Sequence, residues 1–528
     1  MWHGRGRTAA AGAVRAVGVR GTAGVVCLLG LLATGCPAGA GPDGRSAPAA
    51  AAAGVAPRPH AAAAPTPRGS GDWRLDRRAR AGRIEAFATR TDGPPGTRLG
   101  LAVSTTAATY RVSAYRIGAY AGGWGALVWR SGLRPGRSQP PAVLYPRADR
   151  TVVAPWRPGL RIDTSGWTAG FYVLKLRTGS GAETQVPYVV SSTTTAGTVA
   201  LVAPVTTWQA YNQWGGYSLY RGPVGDRRSW AVSFDRPDDG APGANDYRTS
   251  ALPIVVRAER LGIPLSYLTN LDVDARPGVL QGARGYVSLG HDEYWTTGMR
   301  RAVLRARDAG TNVAFLGANT MYWRIRLEQR APGVPRRVVG YRSDAGQDPL
   351  RAVDPADTTA RFRDPPVPRP ERQLVGMEYE CYPVDARYRV ASPRWWGFRG
   401  TGVRYGTSFG GLVGPEADRV YPGRGTPRPL EVLSHTTYPC AGVPTSSESV
   451  YYTVPSGAGV FTAGTLRWGC ALIDACDHGL SRQTMHFVAA VTDNVLRAFA
   501  RGPVGRSWPA RDNVDLFHLS RRNSVPTS

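Results

Sequence analysis

The sequence predicts a multidomain α+β protein, with an N-terminal β-sandwich, a central α/β core built on a parallel sheet, and a β-rich C-terminal part with a final helix. Three observations predict this class. Short alternating segments bounded by Gly and Pro fill residues 73–197, strands and helices alternate over 198–330, and β-like segments return over 331–503. The length of 528 residues and the 42% hydrophobic content allow two or three domains with a sizeable core.

The first 36 residues have the pattern of an export signal. Residues 1–20 contain four arginines and no acidic residue. An apolar stretch follows at 21–35, and it is too short for a comfortable membrane span. Ala33-Thr34-Gly35-Cys36 resembles a lipoprotein cleavage box, in which Cys36 is the residue that carries the lipid. We therefore expect an exported protein that is either secreted or anchored to the outer face of the cell membrane.

Residues 37–72 are dominated by Ala, Pro and Gly, and they offer too little periodic apolar surface to offset the entropy of ordering them. They predict a disordered linker. Residues 73–197 then carry runs with a period of two, the clearest at 101–104, 110–117 and 170–176. Alternation between turn residues predicts an antiparallel sandwich, and nothing in this region suggests catalysis.

In residues 198–330 buried strands alternate with helices, which predicts a parallel sheet with crossover helices. The strands are expected at 199–204, 264–268, 284–289 and 312–316, and the helices at 248–261 and 297–309. A Gly-Ala-Asn sequence follows the last of these strands. We expect it to lie beside the exit of the 284–289 strand.

The C-terminal part, residues 331–503, is again punctuated by Gly and Pro. Its β-like segments include 372–380, 430–435 and 458–465. An amphipathic helix is expected near 482–500, because apolar residues recur there on one face, and residues 504–528 form a tail.

Four cysteines lie in the C-terminal part of this chain. In an exported protein they suggest two disulfides, for which three connectivities exist. They are Cys381, Cys440, Cys470 and Cys476. A zinc site is the weaker alternative, because none of them forms a close Cys-x-x-Cys pair, although His478 lies near Cys476.

The formal net charge is +27, and most of the excess comes from arginine. The arginines are scattered through every predicted element and form no single stripe or arm. Nucleic-acid binding is therefore not expected, and a compositional bias toward Arg explains the charge better. Attraction to anionic lipid headgroups or wall polymers stays open.

The strand at 284–289 is followed by Gly290 and by two side chains that can bind a metal, His291 and Glu293. Positions two apart in an extended backbone point the same way, so the two groups can converge on one ion or one substrate atom. The carboxyl ends of strands are the usual ligand site of open α/β sheets. The alternative is a helix-capping cluster, in which Asp292 or Thr296 caps the helix and His291 is merely packed.

A second dense segment, residues 206–220, follows the first strand of the core and lies on the same sheet edge. Five aromatic residues in this polar, glycine-containing loop are costly at a surface unless they line a pocket. They are Trp208, Tyr211, Trp214, Tyr217 and Tyr220. The alternative interpretations are an aromatic cluster that caps the sheet and an aromatic platform for sugars.

These motifs together resemble the large (beta) subunit of N,N-dimethylformamidase and its relatives. The motifs are Thr-Trp-Gln-Ala-Tyr-Asn at 207–212, Gly-Gly-Tyr-Ser-Leu-Tyr at 215–220 and Gly-His-Asp-Glu-Tyr-Trp at 290–295. The resemblance covers roughly 75–500. It implies a β-sandwich, an α/β core similar to class I glutamine amidotransferase domains, and a β-rich tail with a final helix.

The resemblance also implies an amidohydrolase that acts on a small amide-like substrate through one mononuclear ferric iron (Fe3+). Carried over by motif, the iron ligands are Tyr211, Glu293 and a second tyrosine that best matches Tyr220, with Tyr217 as the alternative. His291 becomes a nearby acid/base or supporting group. Phenolate and carboxylate oxygens are hard ligands that suit ferric iron, and three protein ligands leave positions open for water and substrate.

The match leaves some features of the family unassigned. A further acidic residue from the C-terminal part has three candidates, Glu378, Glu380 and Glu448. The small accessory subunit cannot be inferred from this chain. No cysteine nucleophile follows the 284–289 strand, so a glutamine amidotransferase mechanism is disfavoured despite the similar core.

Two functions of different class follow from these patterns. The first is an exported metal-dependent hydrolase of amide or related C–N bonds. The second is a surface carbohydrate- or cell-wall-binding lipoprotein, in which aromatic side chains stack on sugars. Those side chains are Trp208, Tyr211, Trp214, Tyr217 and Trp295. A third reading, a relative whose site has decayed, is opposed by the intact tyrosines, His291 and Glu293.

Overall fold

The computed structural model describes residues 68–223, 227–240, 243–331 and 334–520. In these ranges many strands form several sheets and a few helices accompany them, so the predicted β-rich α+β class is confirmed. The predicted signal peptide with Cys36, most of the predicted linker, and residues 521–528 of the predicted tail lie outside the described residues. No helix within these ranges is long and apolar enough to cross a membrane.

The N-terminal region consists of two main sheets. Its strands are β1 Ile84–Ala88, β2 Asp92–Gly93, β3 Arg98–Thr105, β4 Thr109–Tyr120, β5 Gly123–Arg130, β6 Arg134–Pro135, β7 Val143–Leu144, β8 Val152–Val153, β9 Leu160–Asp163, β10 Gly170–Thr178 and β11 Glu183–Val190. One sheet has the order β1-β3-β9, and the other has the order β2-β11-β10-β4-β5, with β6 paired to β4. Apolar side chains from both sheets, such as Leu101, Val112 and Leu174, form one cluster.

The α/β part follows directly. Its strands are β12 Val199–Ala203, β13 Ala231–Ser233, β14 Leu265–Thr269, β15 Gly285–Ser288, β16 Tyr294–Trp295, β17 Asn312–Phe315, β18 Trp323–Arg324, β19 Arg326–Ala331 and β20 Val334–Val339. Its helices are α1 Val205–Tyr211, α2 Leu252–Arg260, α3 Asn270–Ala275 and α4 Thr297–Asp308. Strands β14, β12, β15 and β17 lie side by side and parallel, which confirms the predicted parallel sheet.

The last part of the chain completes the same sheet. Its strands are β21 Glu378–Cys381, β22 Ala386–Arg389, β23 Ser408–Val413, β24 Ala417–Arg419, β25 Leu430–Cys440, β26 Val443–Thr453 and β27 Gly459–Thr462, and its helices are α5 Arg372–Val375 and α6 Arg482–Phe499. Strand β27 lies parallel beside β17, and β26 and β25 follow antiparallel. The full order is β14-β12-β15-β17-β27-β26-β25. The similarity of the core to class I glutamine amidotransferase domains remains a prediction.

Strand β10 connects the sandwich to the α/β part because both of its faces are buried. Tyr172 and Leu174 point into the sandwich cluster. Phe171 and Val173 belong to the main cluster of the α/β part. The ring centroid of Phe171 lies 6.0 Å from that of Trp208 on α1. The sandwich therefore supports the helix that carries Tyr211.

The four cysteines form two pairs, which is one of the three connectivities left open by the sequence. Cys381 pairs with Cys440, and Cys470 pairs with Cys476. The first disulfide joins β21 to the end of β25. With all four sulfurs paired, the cysteines are not arranged as a zinc site.

The two disulfides should differ in their contribution to stability. They close loops of 59 and 6 residues, and the entropy that a cross-link removes from the unfolded chain grows with loop length. Replacing Cys381 and Cys440 by serine should lower the free energy of unfolding by about 4 kcal/mol. The same change at Cys470 and Cys476 should cost about 2 kcal/mol. Denaturant unfolding of both double variants measures this, and equal costs would contradict the expectation.

Candidate active site

The candidate site lies at the carboxyl ends of β12 and β15, where the strand order of the large sheet reverses. Strand β14 lies on one side of β12, and β15 lies on the other. Loops diverge at such a switch point and leave a crevice, which is where open α/β sheets bind ligands. Helix α1 begins directly after β12 and carries Tyr211, and the turn after β15 carries His291 and Glu293.

The turn after β15 depends on two glycines. Gly290 has a φ of 82°, a left-handed conformation that favours glycine, and a Cβ there would lie 2.6 Å from the Cβ of Ser250. A Cβ on Gly317, which follows β17, would lie 2.4 Å from the carbonyl oxygen of Gly290. The exits of β15 and β17 are therefore in contact, as the sequence predicted for the Gly-Ala-Asn segment.

Hydrogen bonds hold this turn against α1. The hydroxyl of Thr207 accepts a hydrogen bond from the backbone nitrogen of Glu293 at 3.0 Å. Thr296 is the residue that caps α4, since its side chain accepts from the backbone of the first helical turn. His291 and Glu293 take no part in that cap. The capping alternative therefore accounts for Thr296 but not for the His291–Glu293 pair.

Both predicted tyrosines donate hydrogen bonds to Glu293. The Tyr211 hydroxyl lies 2.8 Å from Oε2 of Glu293, and the Tyr220 hydroxyl lies 2.8 Å from Oε1 and 2.7 Å from Oε2. The two phenol rings stack with their centroids 4.3 Å apart. The Glu293 side chain is buried. Three oxygen-bearing side chains thus converge on one point.

Tyr220 reaches Glu293 because the chain turns back after α1. The backbone nitrogen of Leu219 donates to the carbonyl of Ala210 at 3.0 Å, which places residue 220 beside residue 211. Tyr217 does not hydrogen-bond to Glu293, and its carbonyl accepts from Arg236 instead. The sequence left both tyrosines open, and the geometry favours Tyr220.

His291 completes the group on the other side of Glu293. Its Nε2 lies 3.5 Å from Oε2 of Glu293 and 3.2 Å from Oε2 of Glu416, and its Nδ1 lies 3.5 Å from Oδ2 of Asp246. The imidazole ring centroid is 5.3 Å from that of Tyr211. The histidine is 3% exposed, so it is shielded from bulk water while it faces three carboxylates.

Glu416 is a buried acidic residue beside His291 that sequence reasoning did not single out. The three acidic candidates from the sequence make other contacts: Glu378 pairs with Arg363 and Arg372, Glu380 with Arg419, and Glu448 with His435. Glu416 precedes β24, in the turn that begins Gly414-Pro415. The sequence shows Glu416 only as an acidic residue in a turn. Its position beside His291 depends on a contact between distant parts of the chain, which no local pattern predicts.

Burial and charge shift the pKa values of the site. Burial, together with the charge of Glu293, raises the pKa values of the Tyr211 and Tyr220 hydroxyls well above the usual range. Burial also raises the pKa of Glu293 itself. For His291, burial lowers the pKa, but Glu416, Asp246 and Glu293 outweigh it and leave the pKa well above its usual value. A proton is therefore favoured on the imidazole.

The residues present fit a ferric ion. The partly buried Tyr211 and Tyr220 and the buried Glu293 offer hard oxygen donors. The charge of a bound trivalent cation would oppose the effects that raise the tyrosine pKa values and would favour the phenolates. Nε2 of His291 and Oε2 of Glu416 form an ion pair at 3.2 Å, but neither atom makes a well-aligned hydrogen bond in the described part of the chain. The described ranges contain no group of three or more His, Cys, Asp or Glu side chains that could hold a metal. The predicted ligand set is not a group of that kind, because it combines one glutamate with two tyrosines.

The five aromatic side chains considered for sugar stacking differ in exposure. Trp208 and Trp295 are buried, and Trp208 packs against Tyr247. Trp214 lies edge-on to Trp156, with 5.5 Å between ring centroids, and its Nε1 donates to Glu85. Two of the five residues expected to stack on sugars therefore present no face to solvent.

Comparison with known proteins identifies one family. The family model described as "N,N-dimethylformamidase beta subunit-like, C-terminal" matches residues 111–478, well over half of the chain. No curated protein matches. Among solved structures, a Paenibacillus sp. cycloisomaltooligosaccharide glucanotransferase complexed with cycloisomaltoheptaose is 7% identical, with a TM-score of 0.15. The match covers 49% of this chain and 34% of that one, and so weak a likeness says nothing about the site.

Proposed function

Because the chain belongs to the N,N-dimethylformamidase beta subunit-like family, we propose that it is an iron-dependent hydrolase of amide or related C–N bonds in small substrates. One observation carries the proposal: the hydroxyls of Tyr211 and Tyr220 meet on Glu293, beside His291. These are the residue types that the family resemblance implies for a ferric site. Tyr211, Tyr220 and Glu293 would hold the metal.

The protein's own groups divide the work at such a centre. A ferric ion polarises an amide carbonyl and lowers the pKa of water. His291 carries a proton at Nε2, where Glu293 and Glu416 stabilise the charged imidazole. From that atom the proton can pass to the nitrogen of the departing amine, and the neutral imidazole can take one from water. Because His291 and Glu416 are both buried, bulk water is excluded from the proton transfer.

Asp246 contributes to the orientation of the histidine. Its Oδ2 lies 3.5 Å from Nδ1 of His291, so the two ring nitrogens face carboxylates on opposite sides. This arrangement keeps Nε2 directed at the reaction centre. Asp246 thus corresponds to the third group that orients a catalytic base.

The proposal includes export of the enzyme. Two disulfides suit an oxidising compartment, and the N-terminal pattern predicts either secretion or a lipid anchor at Cys36. The family match, residues 111–478, begins within the sandwich and covers the α/β core and most of the C-terminal part.

Iron content and visible absorption test the function directly. We expect about one iron per chain in protein produced with iron available, and a tyrosinate-to-iron absorption band. Tyr211→Phe should remove or strongly reduce the band and lower hydrolysis of short linear amides. Tyr217→Phe is the matched control from the same loop, and it should keep both. Wild-type protein that binds no iron under these conditions would refute the proposed function.

A further inference from the structure

Arg236 is a buried arginine behind the loop that carries the two tyrosines, with 2% of its surface exposed. Its guanidinium donates to four backbone carbonyls, those of Gln209 at 3.2 Å, Asn212 at 2.8 Å, Trp214 at 3.4 Å and Tyr217 at 2.8 Å. Its Nε also donates to the side chain of Gln209 at 3.2 Å. All of these acceptors belong to residues 209–217, a segment that contains Tyr211 and ends three residues before Tyr220.

A buried guanidinium is costly, so its placement needs a reason. Burial lowers the pKa of Arg236 to about 10, although the charges of Asp239 and Asp238 partly offset this. Its hydrogen bonds in the described structure go to neutral oxygens. Two of them are carbonyls at the C-terminal end of α1, which have no partner within the helix and form the negative end of its dipole. The arginine therefore caps α1 and also reaches the loop beyond it.

The polar residues of the Thr-Trp-Gln-Ala-Tyr-Asn motif belong to the same arrangement. The side-chain oxygen of Gln209 accepts from Asn212 at 2.8 Å, and Asn212 donates to the carbonyl of Pro237 at 2.8 Å. The backbone nitrogen of Gln213 donates to Asp239 at 3.1 Å. We call residues 236–239 the clasp. The clasp holds the end of α1 on one side while Glu293 meets Tyr211 on the other.

We propose that Arg236 is a positioning residue that sets the spacing of Tyr211 and Tyr220 for binding iron. The inference rests on the proposed function. The two hydroxyls share one carboxylate and the two rings stack, so a small shift of the loop would separate them. Lysine cannot take over the role, because one ammonium group cannot span carbonyls that a planar guanidinium reaches in several directions.

Arg236→Lys tests the inference, with Arg300→Lys as the matched control. Arg300 is also buried, and burial lowers its pKa to about 10, but its side chain donates to Gln373 and not to residues 209–217. We expect Arg236→Lys to weaken iron affinity by about 10–100-fold, as loss of a supporting contact around metal ligands does. The tyrosinate band should shift or weaken while thermal unfolding stays cooperative. Arg300→Lys should alter stability only.

The outcomes separate the two proposals. Unchanged iron affinity and absorption in folded Arg236→Lys protein would overturn this inference and leave the proposed function standing. Wild-type protein without iron would overturn both. Should Arg236→Lys fail to fold, Asn212→Ala removes two hydrogen bonds to the clasp, those with Pro237 and Asp239, and keeps the arginine. A weaker affinity in Asn212→Ala supports the inference, and an unchanged affinity and band overturns it.

Discussion

Glu293→Gln is expected to abolish both iron binding and amide hydrolysis. Glu293 accepts hydrogen bonds from both tyrosine hydroxyls, and its carboxylate is the one acidic member of the proposed ligand set. A neutral amide would supply one weaker donor atom and would leave a buried NH₂ group facing the phenols. Activity on short linear amides should fall by about 10³-fold or more, because the metal and its polarising charge are lost together.

Elemental analysis and amine release measure this effect side by side. Glu431→Gln is the control, because Glu431 is also buried but accepts a hydrogen bond from the backbone of Arg511, away from the candidate site. It should keep iron and activity. Full iron content in Glu293→Gln protein would show that Glu293 is not a ligand, whatever happens to the rate.

His291→Gln and Glu416→Gln should have a different signature, in which iron stays bound while turnover falls. Each variant should lose about 10²–10⁴ in kcat, the usual size of an acid/base contribution. The two residues lie 3.2 Å apart and act on one proton in the proposed mechanism, so the double variant should lose little more than either single variant. If the kcat losses of the two single variants multiply in the double variant, His291 and Glu416 act independently.

A second His–Glu pair in the chain provides the control for these variants. Nδ1 of His435 lies 2.7 Å from Oε1 of Glu448, in the β25–β26 hairpin. His435→Gln removes similar chemistry from a place that holds no part of the proposed ligand set. Its kcat should stay within about twofold of the wild type, since it contributes no group to the proton transfer. Iron loss in His291→Gln would mean that the histidine is itself a ligand.

Sequence reasoning succeeded where the signal was local. The parallel strands were found because each is a short apolar run bounded by turn residues, and the strand exits placed His291, Glu293 and Tyr211 on one edge. The motif match favoured Tyr220 and left Tyr217 as an alternative, because the position of residue 220 depends on how the chain turns back onto Ala210.

Contacts between distant parts of the chain could not be predicted. Strand β27 joins the sheet beside β17, although a long β-rich stretch separates them in sequence. Glu416 reaches His291 from a turn whose residues carry no periodic pattern. Arg236 was one arginine among many, and nothing local distinguished it from those at the surface. Its burial and its carbonyl partners follow only from the fold.

The two buried faces of β10 restrict how this protein can be altered. A sandwich of this kind resembles a module that could be removed or exchanged, but Phe171 and Val173 form part of the wall behind α1. A fragment without β10 would expose that wall and release the helix that carries Tyr211. The sandwich and the core therefore form one structural unit, and an engineered variant has to contain both to retain the geometry around Glu293.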